Sequence, residues 1–198
     1  MTNLGITELT ALTNILAAGL EAVPALPLAL PLEVSQALAE ARAQMKSLPE
    51  TINNLNLAGQ RFQSVAAALT GMMDLADRAA SESADDAERR CLDAEFIDLA
   101  KVVAADAGCH FYQGPSLSLL SRGAAQGAAR IIRYMAPVIE TLEKELGEQK
   151  GLIQEAVAET ISFLNTVTQC YPEADPTLNS LVEVTRPYSR FVSPATLH

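Results

Sequence analysis

A chain of 198 residues has room for one domain, or for one domain with extensions. Hydrophobic residues make up 49% while aromatics are only 5% and Trp is absent, which favours a slender core of Ala and Leu between helices. The net charge of −10 and the lack of any basic cluster argue against a nucleic-acid backbone as partner. The three cysteines (Cys91, Cys109 and Cys170) have no metal-ligand spacing and do not read as a disulfide framework.

Residues 6–22 read as a short helix, and "VPALPLALPLE" (23–33) reads as an apolar, Pro-punctuated connector. The first positive residue is Arg42, so no basic region precedes an apolar stretch and no cleaved signal is expected. Glu21 and three prolines break residues 11–32, so no membrane insertion is expected either. Helix resumes near Leu32 or Glu33. "SLPE" (47–50) has the form of a capping box, so either a new helix starts there or one long helix kinks at Pro49.

From Leu55 the apolar positions Ala58, Phe62, Val65, Leu69, Met72, Ala76 and Ala79 follow at alternating steps of three and four. Such a heptad seam asks for a long partner helix. "SESADD" (81–86) is a polar break with caps and first-turn acids. A second helix carries Leu92, Phe96, Leu99 and Val103 on one face and stops around Gly108. The Gly- and Pro-containing segment 108–123 reads as a turn or short hairpin.

Residues 124–169 form the longest helical pattern, with Ile131, Met135, Val138, Leu142, Leu146, Ile153, Val157, Ile161 and Leu164 as its expected seam. Pro137 should kink that helix or mark its start. After Cys170, four prolines leave room for little more than a short helix near 177–185. "ETINNLN" (50–56) and "ETISFLN" (159–165) are the same helical phrase used twice, with flanks that do not match. Each puts Ile at its third place and Leu at its sixth, so both are expected to feed one shared core.

The chain carries little that looks like catalytic chemistry. It has two histidines, His110 and His198, and no Glu-x-x-His pair of the di-iron bundles. "GPSLS" (114–118) lacks the second glycine of a nucleophile elbow, and the glycines of 108–127 form no Walker or dinucleotide loop. The neighbours Cys109 and His110 fall far short of four metal ligands. No enzyme activity, cofactor or metal is therefore expected, and the acids read as solvated helix faces.

Three stretches, in order, resemble bacterial flagellin and its junction relatives, the hook-associated proteins. "GLIQEAVAETISFLN" (151–165) is similar to the family's C-terminal phrase G-x-L-Q-x-x-L-x-x-T-I-x-x-L-N, matching at Gly151, Gln154, Thr160, Ile161, Leu164 and Asn165. "AEFIDLAKVVAADAGCHFYQG" (94–114) resembles the run A-E-F … F-N-G, with Glu95, Phe96, Tyr112 and Gly114 in register. "FQSVAAALTGMMDLADRAA" (62–80) is similar to the long N-terminal core helix, whose closing phrase, like E-L-A-x-Q-A-A, is occupied by Asp74, Leu75, Ala76, Ala79 and Ala80; Leu75 and the seam residues Phe62, Leu69 and Met72 are candidate core or assembly contacts. The arginines that usually precede its closing phrase are replaced by Gly71 and Met73, on a face that in the family meets neighbouring subunits and the innate-immune flagellin receptor.

The resemblance covers about residues 33–169. It implies an all-α fold: an elongated bundle of long, coiled-coil-like helices with a short turn or hairpin. Residues 1–32 would be a short helix and connector, 33–169 the flagellin-like core, and 170–198 an irregular tail. It implies a minimal subunit or junction component of a bacterial flagellum or related filament, placed there without a cleaved signal. The degenerate ends, cut up by prolines, suit the alternative: a non-polymerising, cytoplasmic interaction protein that binds flagellin or its chaperone. In either case the isolated chain is expected to be a monomer or small oligomer, with flagellin-like subunits or a chaperone as partners. A helical bundle unrelated to flagellin is the remaining reading.

Overall fold

The computed structural model describes residues 4–23, 30–106, 117–173 and 175–191. Every regular element among them is helical: α1 (Ile6–Ala22), α2 (Leu32–Ala80), α3 (Asp86–Asp106), α4 (Arg122–Cys170) and α5 (Pro176–Thr185), followed by a 3-10 segment, Arg186–Phe191. None of these helices is long and apolar enough to cross a membrane. The chain divides into two compact units, Met1–Asn56 with Glu148–His198, and Leu57–Gly147. Packing thus groups the two ends of the sequence together, where chain order alone suggested an end, a core and a tail.

In the first unit α1 supplies Leu9, Leu12, Leu16 and Leu20, each at most 1% exposed. Their 3-4-4 spacing makes one apolar stripe. Burying these four leucines is worth roughly 6–12 kcal/mol at about 1.5–3 each, an upper figure because the unfolded chain already covers part of them. They join Leu38, Met45 and Ile52 of α2, Ile153, Val157, Ile161 and Leu164 of α4, and Leu178 and Leu181 of α5 in one core. The two copies of the repeated phrase meet in this core: Ile52, Ile161 and Leu164 are buried in it and Leu55 packs against it.

Local chemistry marks the helix ends. Glu8 Oε2 accepts the Gly5 N–H at 2.9 Å before α1. Arg42, half-buried on α2, donates from Nε to the Leu20 carbonyl at 2.8 Å and from a terminal nitrogen to that of Val23 at 2.6 Å. A cation there satisfies carbonyls that a helix C-terminus leaves open. Asp175 Oδ1 accepts the Thr177 N–H at 2.7 Å, and Pro176 follows as the first residue of α5. Gly19 of α1 sits where a Cβ would come within 2.4 Å of Leu181 Cδ1, so α1 and α5 approach closely.

In the second unit the core joins Val65, Leu69, Met72, Ala76 and Ala79 of α2 to Leu92, Phe96, Ala100 and Val103 of α3 and Ala125, Ala128, Ala129 and Ile132 of α4. Arg89 mirrors Arg42: its Nε donates to the Ala79 carbonyl at 3.1 Å, and Asp85 Oδ1 caps α3 through the Glu88 N–H at 2.7 Å. The carboxylate of Asp93, only 9% exposed, accepts the Leu119 N–H at 2.6 Å and ties the entry to α4 onto α3.

Of the two alternatives at Pro49, the single long helix holds: α2 runs through Pro49, and the Ser47 hydroxyl donates to the Gln44 carbonyl instead of capping a new start. A proline inside a helix costs about 3 kcal/mol or more, but Met45 and Ile52, buried on either side, hold both flanks in the core. On α4 the expected seam holds at Ile153, Val157, Ile161 and Leu164, but one expectation needs correction: at Ile131 and Val138 it is displaced by one residue. Ile131 and Val138 are 43% and 57% exposed, whereas Ile132 is buried, with Met135 and Ile139 packed against the same core. Pro137 lies within α4 and does not begin it. The expected turn or hairpin at 108–123 falls largely outside the described residues.

Candidate functional site

The residues singled out by the flagellin resemblance are shared between the units. Leu69, Met72, Leu75 and Phe96 are buried in the second core, and Phe62 is half-buried. Glu95 is exposed on α3. Ile161 and Leu164 are buried in the first core. Thr160, also buried, donates its hydroxyl to the Ala156 carbonyl at 3.0 Å. Gln154 Nε2 donates to the Leu4 carbonyl at 3.0 Å, fastening the chain ahead of α1 to α4. Gly151 is exposed with open space where a Cβ would stand, and Asn165 is half-buried with its carbonyl accepting from the Thr168 hydroxyl. Tyr112 and Gly114 lie outside the described residues. These side chains build cores and fasten helices; they do not converge on a catalytic constellation.

Positions 71 and 73 are instructive. A Cβ at Gly71 would lie 2.9 Å from Leu99 Cδ1, so α3 occupies the space beside it. Met73 instead lines a groove between α2 and α4 of the second unit, with a volume of about 350 Å³. Leu69 and Ile132 reach it from the core, Met73 and Ile139 form walls, and Ala66 and Ala136 are small enough to leave the space open. Its polar residues are Thr70, whose hydroxyl is already donated to the Ala66 carbonyl at 2.9 Å, and the acids Asp74, Glu140 and Glu143.

Among the described residues no Lys, Arg, His or Cys lines the groove. The neighbouring acid on α2, Asp77, is held by Arg133 of α4 at 2.8 and 3.1 Å to its two oxygens. Asp74, Glu140 and Glu143 form no ion pair among the described residues. The groove therefore combines an apolar floor with three carboxylates that form no ion pair among the described residues. That arrangement suits binding through an apolar anchor and cations. The sequence reading missed it, because its two walls lie more than sixty residues apart and each acid alone looks like a solvated helix position.

Comparison with protein-family models, with curated proteins and with solved structures returns no match.

Proposed function

We propose that this chain is a flagellin-like helical interaction protein that does not polymerise, and that it binds flagellin or a flagellin-handling chaperone. The ordered phrases at 62–80, 94–114 and 151–165 suggest the family. The observation that carries the non-polymerising reading is the packing of α1 against α5. Leu9, Leu12, Leu16 and Leu20 share one core with Leu178 and Leu181, so the apolar stripes of both helices are spent within the chain. A filament subunit grows by offering one surface to the next copy without closing on itself, and stripes already buried are not on offer.

A minimal subunit or junction component of a bacterial flagellum is the second reading, favoured by the order of the three phrases. The elongated, coiled-coil-like layout implied by the resemblance is part of both readings, and small-angle scattering tests it. Electron microscopy after salt-induced polymerisation separates the two. The first reading expects no long filaments from the isolated chain, together with co-sedimentation with preformed flagellin or a stable chaperone complex. Long homopolymeric filaments would establish the second instead.

A further inference from the structure

We propose that the groove between α2 and α4 of the second unit docks a basic amphipathic helix of another protein, with an apolar side chain on its floor and Lys or Arg against Asp74, Glu140 and Glu143. The proposal stands on the groove alone and does not depend on the flagellin resemblance. The floor made by Leu69 and Ile132 is apolar, and so are the walls at Met73 and Ile139, so water held there is released when an apolar side chain enters. Met73 adapts to side chains of different shape, because its unbranched thioether has three rotatable bonds. A volume of about 350 Å³ sits at the lower end of ligand pockets, about 300–1,000 Å³. Among the described residues no histidine or aromatic side chain lines the groove and the Thr70 hydroxyl is already donated, so a protruding apolar side chain is the better fit.

Charge selects the occupant. Glu140 and Glu143 are neighbours on one face of α4 and Asp74 faces them from α2, so the edges of the groove are negative on both helices. None of the three is ion-paired among the described residues, which leaves their field open to an incoming cation. A second copy of this chain is a poor occupant, because each copy carries a net charge of −10. The chain's own undescribed segments are poor occupants too: residues 1–3, 24–29, 107–116, 174 and 192–198 contain no Lys or Arg. What remains is a partner with an apolar stripe flanked by basic residues, a known mode of helix-in-groove recognition.

The test uses the full chain and a fluorescent peptide of about 18 residues, long enough to form a helix on binding, made of Leu and Lys in an amphipathic pattern. A peptide of the same composition in scrambled order and one with Glu for Lys serve as probes of pattern and charge. Anisotropy should show saturable binding of the patterned basic peptide, weaker binding of the scrambled one, and none of the acidic one. The triple variant D74N/E140Q/E143Q should weaken binding about tenfold, as expected for the loss of three exposed charge pairs. The control E155Q/E159Q/E173Q changes the net charge equally in the other unit and should leave affinity within about twofold. M73R, which puts a cation on the wall, should weaken binding as much as the triple variant. The acids are exposed, so the triple variant should keep the parent's melting curve even if M73R does not. Equal weakening by both triple variants would reduce the effect to net charge and overturn the proposal. Binding of the acidic peptide, or peptide competition with self-association in sedimentation, would overturn it as well.

Discussion

Gly19→Ala is the sharpest probe of how the two ends of the chain meet. Two effects oppose each other. Alanine within a helix is better than glycine by about 1 kcal/mol. Its Cβ, however, would stand 2.4 Å from Leu181 Cδ1, 3.0 Å from Cδ2 and 3.1 Å from Cγ. Leu181 is only 5% exposed, so its side chain cannot swing into open solvent, and α5 must shift or the leucine must leave its rotamer. Overpacking of that kind costs about 1–3 kcal/mol. The net expectation is a loss of about 0–2 kcal/mol, at most several degrees in melting temperature for a chain this size.

Because the net effect is small, the double-mutant cycle is the better measurement. Leu181→Ala alone should cost about 2–5 kcal/mol through the cavity it leaves. In that background the alanine at 19 meets no leucine, the clash disappears, and only its helix gain remains. The double variant should therefore be more stable than the sum of the singles by about 1–3 kcal/mol. Urea unfolding followed by circular dichroism reads all four corners of the cycle. If Gly19→Ala stabilises by itself and adds simply to Leu181→Ala, then α1 and α5 do not touch at this point. Their apolar stripes are then not spent against each other inside the chain.

Two further outcomes follow from burial and charge. Leu69→Asp and Ile161→Asp each put a carboxylate into a site only 4% and 2% exposed, and each should remove most of the cooperative melt of its unit; a melting temperature within a degree of the parent for either one would show that its seam is misplaced. Glu21 Oε1 lies 2.9 Å from Lys46 Nζ, and the hydrogen bond and charge of Lys46 hold the Glu21 carboxyl below its usual range. Its contribution is therefore present above the ordinary glutamate range and lost as pH falls through the lowered folded value. In an NMR titration Lys46→Gln should bring Glu21 back toward the ordinary value, and an unchanged midpoint would mean that the pair does not form in solution.

Much of the fold was legible because its signals are local. The bounds of α1 follow from a leucine stripe that ends before Pro24, and the place of α5 from the room left between Pro176 and Pro187. The break at 81–86 carries its cap in plain view at Asp85. Pro49 left two alternatives open for the opposite reason. The local cost of a proline is visible in the sequence, while the burial of Met45 and Ile52 that outweighs it is a tertiary fact. Asp93 was silent too: one acid among many on α3, made structural only by the Leu119 N–H that a different part of the chain brings to it.

The one-residue displacement on α4 shows where periodicity ran out. Ala125, Ile132, Ile139, Leu146, Ile153, Thr160 and Val167 recur every seven residues, and the first, second, fifth, sixth and seventh of them are buried. Two small or polar members, Ala125 and Thr160, weaken that stripe to the eye. Ile131, Tyr134 and Val138 form a rival stripe with larger side chains, yet they are 43%, 75% and 57% exposed. Hydrophobicity alone favoured the rival. Space decides against it: Ala125, Ala128 and Ala129 are almost fully buried, and small side chains let helices approach more closely than bulky ones do. The same preference for alanine opens the groove at Ala66 and Ala136, where neither helix supplies bulk to fill it. In an Ala-rich bundle the closest contacts and the open groove come from the same residue type. What separates them is whether the facing helix offers a large side chain at that level, and that depends on residues far away in the sequence.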